Sequence, residues 1–133
     1  MKTSAEEHLR TLFRRHAWQF DERESWPIDT LGRYSGDSLL QHVVMSGSVE
    51  DVKRLIRHGA NVNVLGDCGH TAIHYAASRG KLDVAEALVE AGADPSIANE
   101  WGFTPLRSLM LHEHELPPKV FKKFVKLLRR GAR

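Results

Sequence analysis

Cysteine is all but missing. Cys68 is the one thiol in 133 residues, which excludes an internal disulfide and suits a reducing compartment. Long apolar runs are missing too, so nothing in the chain reads as a bilayer span. The N-terminal stretch carries Lys2, Glu6, Glu7, Arg10, Arg14 and Arg15 and lacks the apolar segment of a secretory signal. A cytoplasmic protein is expected. There is no low-complexity or long polar tract of the kind that stays disordered. Also absent are a Gly-rich phosphate loop, a Ser-His-Asp arrangement and a carboxylate pair in a plausible cleft. The commonest enzyme routes are thereby closed, and no catalytic residue, cofactor or resident metal is expected.

What is present is ordinary in bulk, with 41% hydrophobic and 27% charged residues, and enough chain for one modest core. The net charge of +2 hides an asymmetry. Residues 119–133 hold seven of the nineteen Lys and Arg and no acid. Residues 1–118 then carry twelve bases against seventeen acids, a balance of −5. Body and tail have to be treated as separate charge problems.

Glycine supplies the ruler. Gly36, Gly69 and Gly102 are evenly spaced at 33 residues, and the same step joins Gly47 to Gly80 and Gly59 to Gly92. Apolar residues keep that step: Leu40 with Ile73 and Leu106, Val49 with Leu82, Leu55 with Leu88, Ile56 with Val89. A period of this length marks stacked supersecondary units. Each unit opens with a Gly-containing turn and a short helix (about Ser38–Met45, then about Thr71–Ser78). A second glycine turn leads into a second helix, about Val49–His58 and about Leu82–Ala91, whose apolar positions share one face. One unit cannot cover its own apolar stripe, so stability depends on stacking against neighbours.

The run Gly69-His70-Thr71-Ala72-Ile73-His74-Tyr75-Ala76-Ala77-Ser78-Arg79-Gly80, followed by Leu82-Asp83-Val84 and Gly92-Ala93-Asp94, resembles an ankyrin repeat. Unit one keeps Gly59-Ala60-Asn61-Val62-Asn63, and unit three keeps Gly102-Phe103-Thr104-Pro105-Leu106 and Gly131-Ala132. The expected architecture is all-α: a solenoid of three helix-turn-helix repeats (33–65, 66–98 and 99–133) behind an N-terminal capping helix and link, residues 1–32. In that segment Ser4-Ala5-Glu6-Glu7 reads as a capping box. Leu9, Leu12, Phe13, His16 and Phe20 fall on one helical face, so Trp18, Phe20 and Trp26 are expected to cover the open end of repeat one. The resemblance implies that His74 bridges backbone groups between repeats.

The departures from the family pattern carry expectations of their own. Unit one has Asp37-Ser38-Leu39-Leu40-Gln41 where the family favours Thr-Pro-Leu-His, so its first helix is expected to lack the buried Thr–His bonding. Unit three replaces that His by Arg107. It also holds six extra residues between its helices, in the stretch from Leu111 to Pro118, where Pro117 and Pro118 predict a stiff loop rather than a longer helix.

Four local features could carry chemistry. His112-Glu113-His114-Glu115 has the ligand types for a metal but not the i, i+4 histidine spacing that puts both on one ion, so it reads as a solvated loop. Cys68 lies beside Asp67 and His70, and a neighbouring histidine would favour its thiolate; no oxyanion hole or second acid accompanies it. In residues 119–133 the apolar set Val120, Phe121, Phe124, Val125, Leu127 and Leu128 takes one face and the bases the other. That is either the solvated outside of a last helix or a patch for an acidic protein or nucleic acid.

Partner binding is the fourth feature, and it comes from the resemblance. The family's partners lie along the concave side, on the turn tips and the exposed side of each first helix. Carried over, repeat one gives Tyr34, Ser35, Asp37, Met45 and Ser46. Repeat two gives Asp67, Cys68, His70, Ser78 and Arg79, and repeat three gives Glu100, Trp101, Phe103, Leu111 and His112. Trp101, Phe103, Tyr34 and Arg79 lead, because Trp, Tyr and Arg anchor interfaces; the alternative is that Trp101 folds back on the inserted loop. The resemblance implies a non-catalytic protein that sequesters or inhibits a protein partner, monomeric when free. It is looser toward the small bacterial ankyrin proteins, some of which are immunity proteins that neutralise a cognate toxin.

Overall fold

The structure is a computed structural model that describes residues 4–15, 28–32 and 35–131, and among these the side chains of 4–6 and 131 are excluded. Those residues form seven α-helices: α1 (Ser4–Arg15), α2 (Leu39–Ser46), α3 (Val49–Arg57), α4 (Ala72–Ser78), α5 (Leu82–Glu90), α6 (Pro105–Met110) and α7 (Pro118–Gly131). Short 3-10 turns lie at Asp67–Gly69 and Glu113–Glu115. The first helices of the units, α2, α4 and α6, stack as one row, and α3, α5 and α7 stack as a second. The residues that share the 33-residue step meet between the rows: Leu40, Leu55, Ile73 and Leu88 are fully buried, joined by Leu109, Phe124 and Leu128 from unit three.

Each first helix begins where a hydroxyl at the N-cap takes up an orphan backbone N–H. In repeat two the imidazole completes the arrangement. The Thr71 backbone N–H donates to His74 Nδ1 at 3.0 Å, the Thr71 hydroxyl lies 2.8 Å from the same nitrogen, and Nε2 reaches the Phe103 carbonyl of repeat three at 2.8 Å. Since Nδ1 accepts a backbone N–H, the ring proton sits on Nε2 and donates to Phe103. His74 is therefore a neutral latch between repeats.

Repeat one lacks the Thr–His pair, as its sequence says, yet it keeps an equivalent latch. Gln41 makes it with an amide: its Oε1 accepts the Ser38 backbone N–H at 2.7 Å, while its Nε2 donates to Val64 O and His70 O, both at 2.9 Å. His70 and Phe103 are one period apart, so Gln41 and His74 clamp equivalent carbonyls. The sequence comparison missed this because it matched residue type, whereas the joint needs only an acceptor and a donor on one planar group. The next turn packs tightly here. A Cβ on Gly66 would collide with Asp37 Oδ1 and Gln41 Oε1.

Only one of the two latches can titrate. Burial lowers the proton affinity of His74, outweighing the Phe103 carbonyl, and burial also lowers that of His42 against the opposing pull of Asp37. Below the ordinary histidine value of about 6.5 the unfolded chain takes up protons that the native rings refuse. Stability is therefore complete above that value and falls as the pH drops below it. Urea titrations at pH 7.5 and 5.5 should show the lower midpoint at 5.5. His74→Gln, which copies Gln41, should reduce that difference; an unchanged difference would remove His74 as a source of it.

α1 adds Leu12 and Phe13 to the shared core. Two polar contacts join it to α3, with Arg15 paired to Asp51 at 3.5 Å and the Arg54 guanidinium donating to the His8 ring, so it lies beside the second-helix row as a cap. The Ser4 capping box, His16, Trp18, Phe20, Trp26, Ala132 and Arg133 lie outside the described residues or side chains.

In repeat three the inserted stretch is not a loop alone. Part forms the 3-10 turn, and Pro118 opens α7, which has 14 residues against 9 in α3 and in α5. Proline fits a first helical turn, where its missing N–H is no loss. Leu116 from this stretch folds back onto Gly80. A Cβ there would stand 2.7 Å from Leu116 Cδ2, at a backbone φ of +66 that already favours glycine.

Candidate partner-binding surface

The turns that precede α4 and α6 close alike. Gly66 N–H donates to His70 O at 2.8 Å, and Asn99 N–H donates to Phe103 O at 2.9 Å. Successive tips are also tied to one another. Asp67 N–H donates to Asp37 Oδ1 at 2.9 Å, and Glu100 N–H donates to Cys68 O at 3.0 Å. The tips thus form one continuous row on a rigid scaffold.

On that row the structure assembles rings. His70 stacks on Tyr75 with centroids 5.4 Å apart and 24° between planes, meets His74 edge-on at 5.4 Å, and lies 5.9 Å from Trp101. Asn99 holds the third tip. Its Oδ1 accepts the backbone N–H groups of Trp101 and Phe103, each at 3.0 Å, and its Nδ2 approaches His70 Nε2 at 3.3 Å. Trp101 is left 61% exposed at the end of this ring row; its observed ring contact is with His70. Phe103 is half-buried under the Arg107 guanidinium, 4.5 Å above its ring.

The other candidates divide. Asp67, Arg79, Glu100 and Leu111 are exposed, and Met45, Ser78 and His112 are partly so. The Ser78 hydroxyl donates to Tyr75 O at 3.1 Å, and His112 Nδ1 lies 3.0 Å from Glu115 Oε2. Asp37 has to be corrected. It is 4% exposed, and its Oδ1 accepts both the Asp67 N–H and the Tyr75 hydroxyl at 2.8 Å, so its carboxylate joins tips one and two instead of facing a partner. Tyr34 lies outside the described residues.

Cys68 is a second correction. It stands in the left-handed region at φ 54, and its thiol donates to Asp67 Oδ1 at 3.5 Å. Partial burial first, then Asp67, Glu100 and Asp37, raise its pKa; burial and the nearby carboxylates both favour the protonated thiol, so it is held rather than activated.

Three residues that matter here escaped the sequence reading. Gln41 and Asn99 are described above. Lys81 lies between α4 and α5 and donates through Nζ to Val44 O at 2.7 Å and Met45 O at 3.2 Å, ending α2 of the preceding repeat. Burial lowers its pKa. The available signal was positional, since a lysine at the turn between two helices can satisfy the last carbonyls of a neighbouring helix.

Comparison with known proteins agrees with this architecture. A family model described as "Ankyrin repeats (3 copies)" matches residues 9–115. Protein phosphatase 1 regulatory subunit 27 of Mus musculus is 33% identical over 99 residues, which cover 74% of this chain and 64% of that protein. The B-cell lymphoma 3 protein homolog of Mus musculus is 42% identical over 79 residues, 59% of this chain and 18% of its own length. Among solved structures, the ankyrin repeat domain of Bcl-3, described as a unique member of the IkappaB protein family, matches with a TM-score of 0.68 at 29% identity, over 96% of this chain and 51% of that one. The chain spans less than two thirds of the length of each of these relatives. Among the described residues, no helix is long and apolar enough to cross a membrane.

Proposed function

This chain belongs to the ankyrin-repeat family, and on that premise we propose that it is a non-catalytic module that binds and occludes a protein partner through its turn tips. The observation that carries the proposal is Trp101. A large ring held 61% exposed by a buried asparagine has no role in the core, and exposed tryptophan is a residue type that dominates binding energy where an interface closes over it. Phe103 under Arg107, His70, Asp67 and Glu100 share the tip row with it, and Arg79, exposed at the C-terminal end of α4, completes the proposed contact set. The regulatory name of one relative and the IkappaB description of another fit a protein that acts by holding another. A cytoplasmic setting and a monomeric free state go with that reading.

Toxin neutralisation would be one instance of it. An immunity role predicts a tight one-to-one complex with a toxin domain and loss of that domain's activity in the complex; a toxin domain left fully active would exclude it. The general proposal is tested by affinity capture from the native cell with the intact chain and with Trp101→Ala/Phe103→Ala. One protein partner, lost in the double variant, is the expected result. A partner retained at full strength by the variant would overturn the turn-tip assignment, and recovery of nucleic acid alone, released steeply by salt, would overturn protein binding.

A further inference from the structure

The row of second helices carries a second surface unlike the turn tips. Between α5 and α7 runs an open groove of about 350 Å³, lined by Glu86, Val89 and Glu90 on one side and by Lys123, Lys126, Leu127 and Arg130 on the other. Val89 and Leu127 are partly buried and form its apolar floor, whereas the charged residues are exposed. Asp83, Glu86 and Glu90 follow one another at helical spacing along α5; Lys119, Lys123, Lys126 and Arg130 do the same along α7. The groove thus has one acidic wall and one basic wall. None of the ion pairs found among the described residues joins those walls, although opposite charges facing across a groove would normally close on each other if their reach allowed.

We propose that this groove seats an amphipathic helix of a partner protein, with acidic residues on the flank beside α7, basic residues on the flank beside α5, and apolar residues on the floor. The geometry is that of a third helix laid over two, in which flanking charges choose the partner and floor residues supply the buried area. A nucleic acid fits less well. Its phosphates would meet Glu86 and Glu90, an apolar floor offers them nothing, and Phe124 is fully buried in the core instead of standing out for base stacking. The groove lies on the second-helix row and shares no residue with the turn-tip set, so it can be occupied while that set is free.

The test uses the full chain and labelled synthetic helices of about five turns, each with a leucine stripe and differing only in their flanks: glutamate on one and lysine on the other, glutamate on both, or lysine on both. Binding is read by fluorescence anisotropy near physiological ionic strength, with circular dichroism to show that the variants fold. The mixed helix should bind at least about tenfold more tightly than either single-sign helix, because each of those meets one like-charged wall. Lys123→Glu/Lys126→Glu/Arg130→Glu makes both walls acidic, so it should lose the mixed helix by a similar factor and gain the lysine helix. Trp101→Ala should leave the mixed helix bound. Equal affinity for the three helices, no binding of any, no switch in the triple variant, loss with Trp101→Ala, or displacement by duplex DNA at equal concentration would each overturn the proposal. Because Trp101→Ala/Phe103→Ala reports on the other surface, failure here is separable from failure of the turn-tip reading.

Discussion

Replacing His74 with leucine should cost about 3 kcal/mol of folding free energy, since it strands buried groups that each cost roughly 1–3 kcal/mol when left unpaired. The groups are identifiable. The Thr71 N–H and hydroxyl lose their acceptor, and the Phe103 carbonyl keeps the Asn99 N–H but loses its second donor across the joint between repeats two and three. Leucine fills comparable space, so the loss is polar and not a cavity. A domain of this size stands only about 5–15 kcal/mol above its unfolded state, which makes the change a large fraction of the total. His74→Gln is the discriminating partner variant, because an amide already does this work at Gln41. Urea titration should place His74→Gln well above His74→Leu; equal midpoints would mean that the latch contributes little beyond packing.

The second large effect lies at the end of the stack. Phe124 is completely buried under α7, and truncating such a ring typically costs about 3–5 kcal/mol. Since α7 packs on α5 in its own row and on α6 in its own repeat, the loss falls at that end of the stack and should not spread evenly. Phe124→Ala should therefore release α7 while α3, α4 and α5 keep their protection, seen as faster amide exchange confined to residues 118–131. Uniformly faster exchange along the chain would show instead that the three repeats unfold as one unit.

Much of this was legible from spacing. The 33-residue step located the repeats, and the residues that keep it, Leu40, Leu55, Ile73 and Leu88, are core residues in the structure. Periodicity reports burial, because a stack must repeat its apolar face. Bonding was less legible. Gln41 looked like a lost latch since its type differs from His74, but hydrogen-bond geometry is indifferent to that difference. Asp37 was placed on the binding surface by carrying over the family's turn-tip positions; its carboxylate turns inward to the Asp67 N–H and the Tyr75 hydroxyl. Cys68 was read from a nearby histidine, while burial and the adjacent acids favour its neutral form. Position along the chain gives the neighbours and leaves the direction of each side chain open.

The central claim, that the turn tips hold a protein partner, is tested most directly by hydrogen–deuterium exchange on the free chain and on its complex with the captured protein. The account predicts slower exchange on binding at residues 66–70 and 99–103, around Trp101. Identical exchange at those residues in the free and bound chain would contradict it.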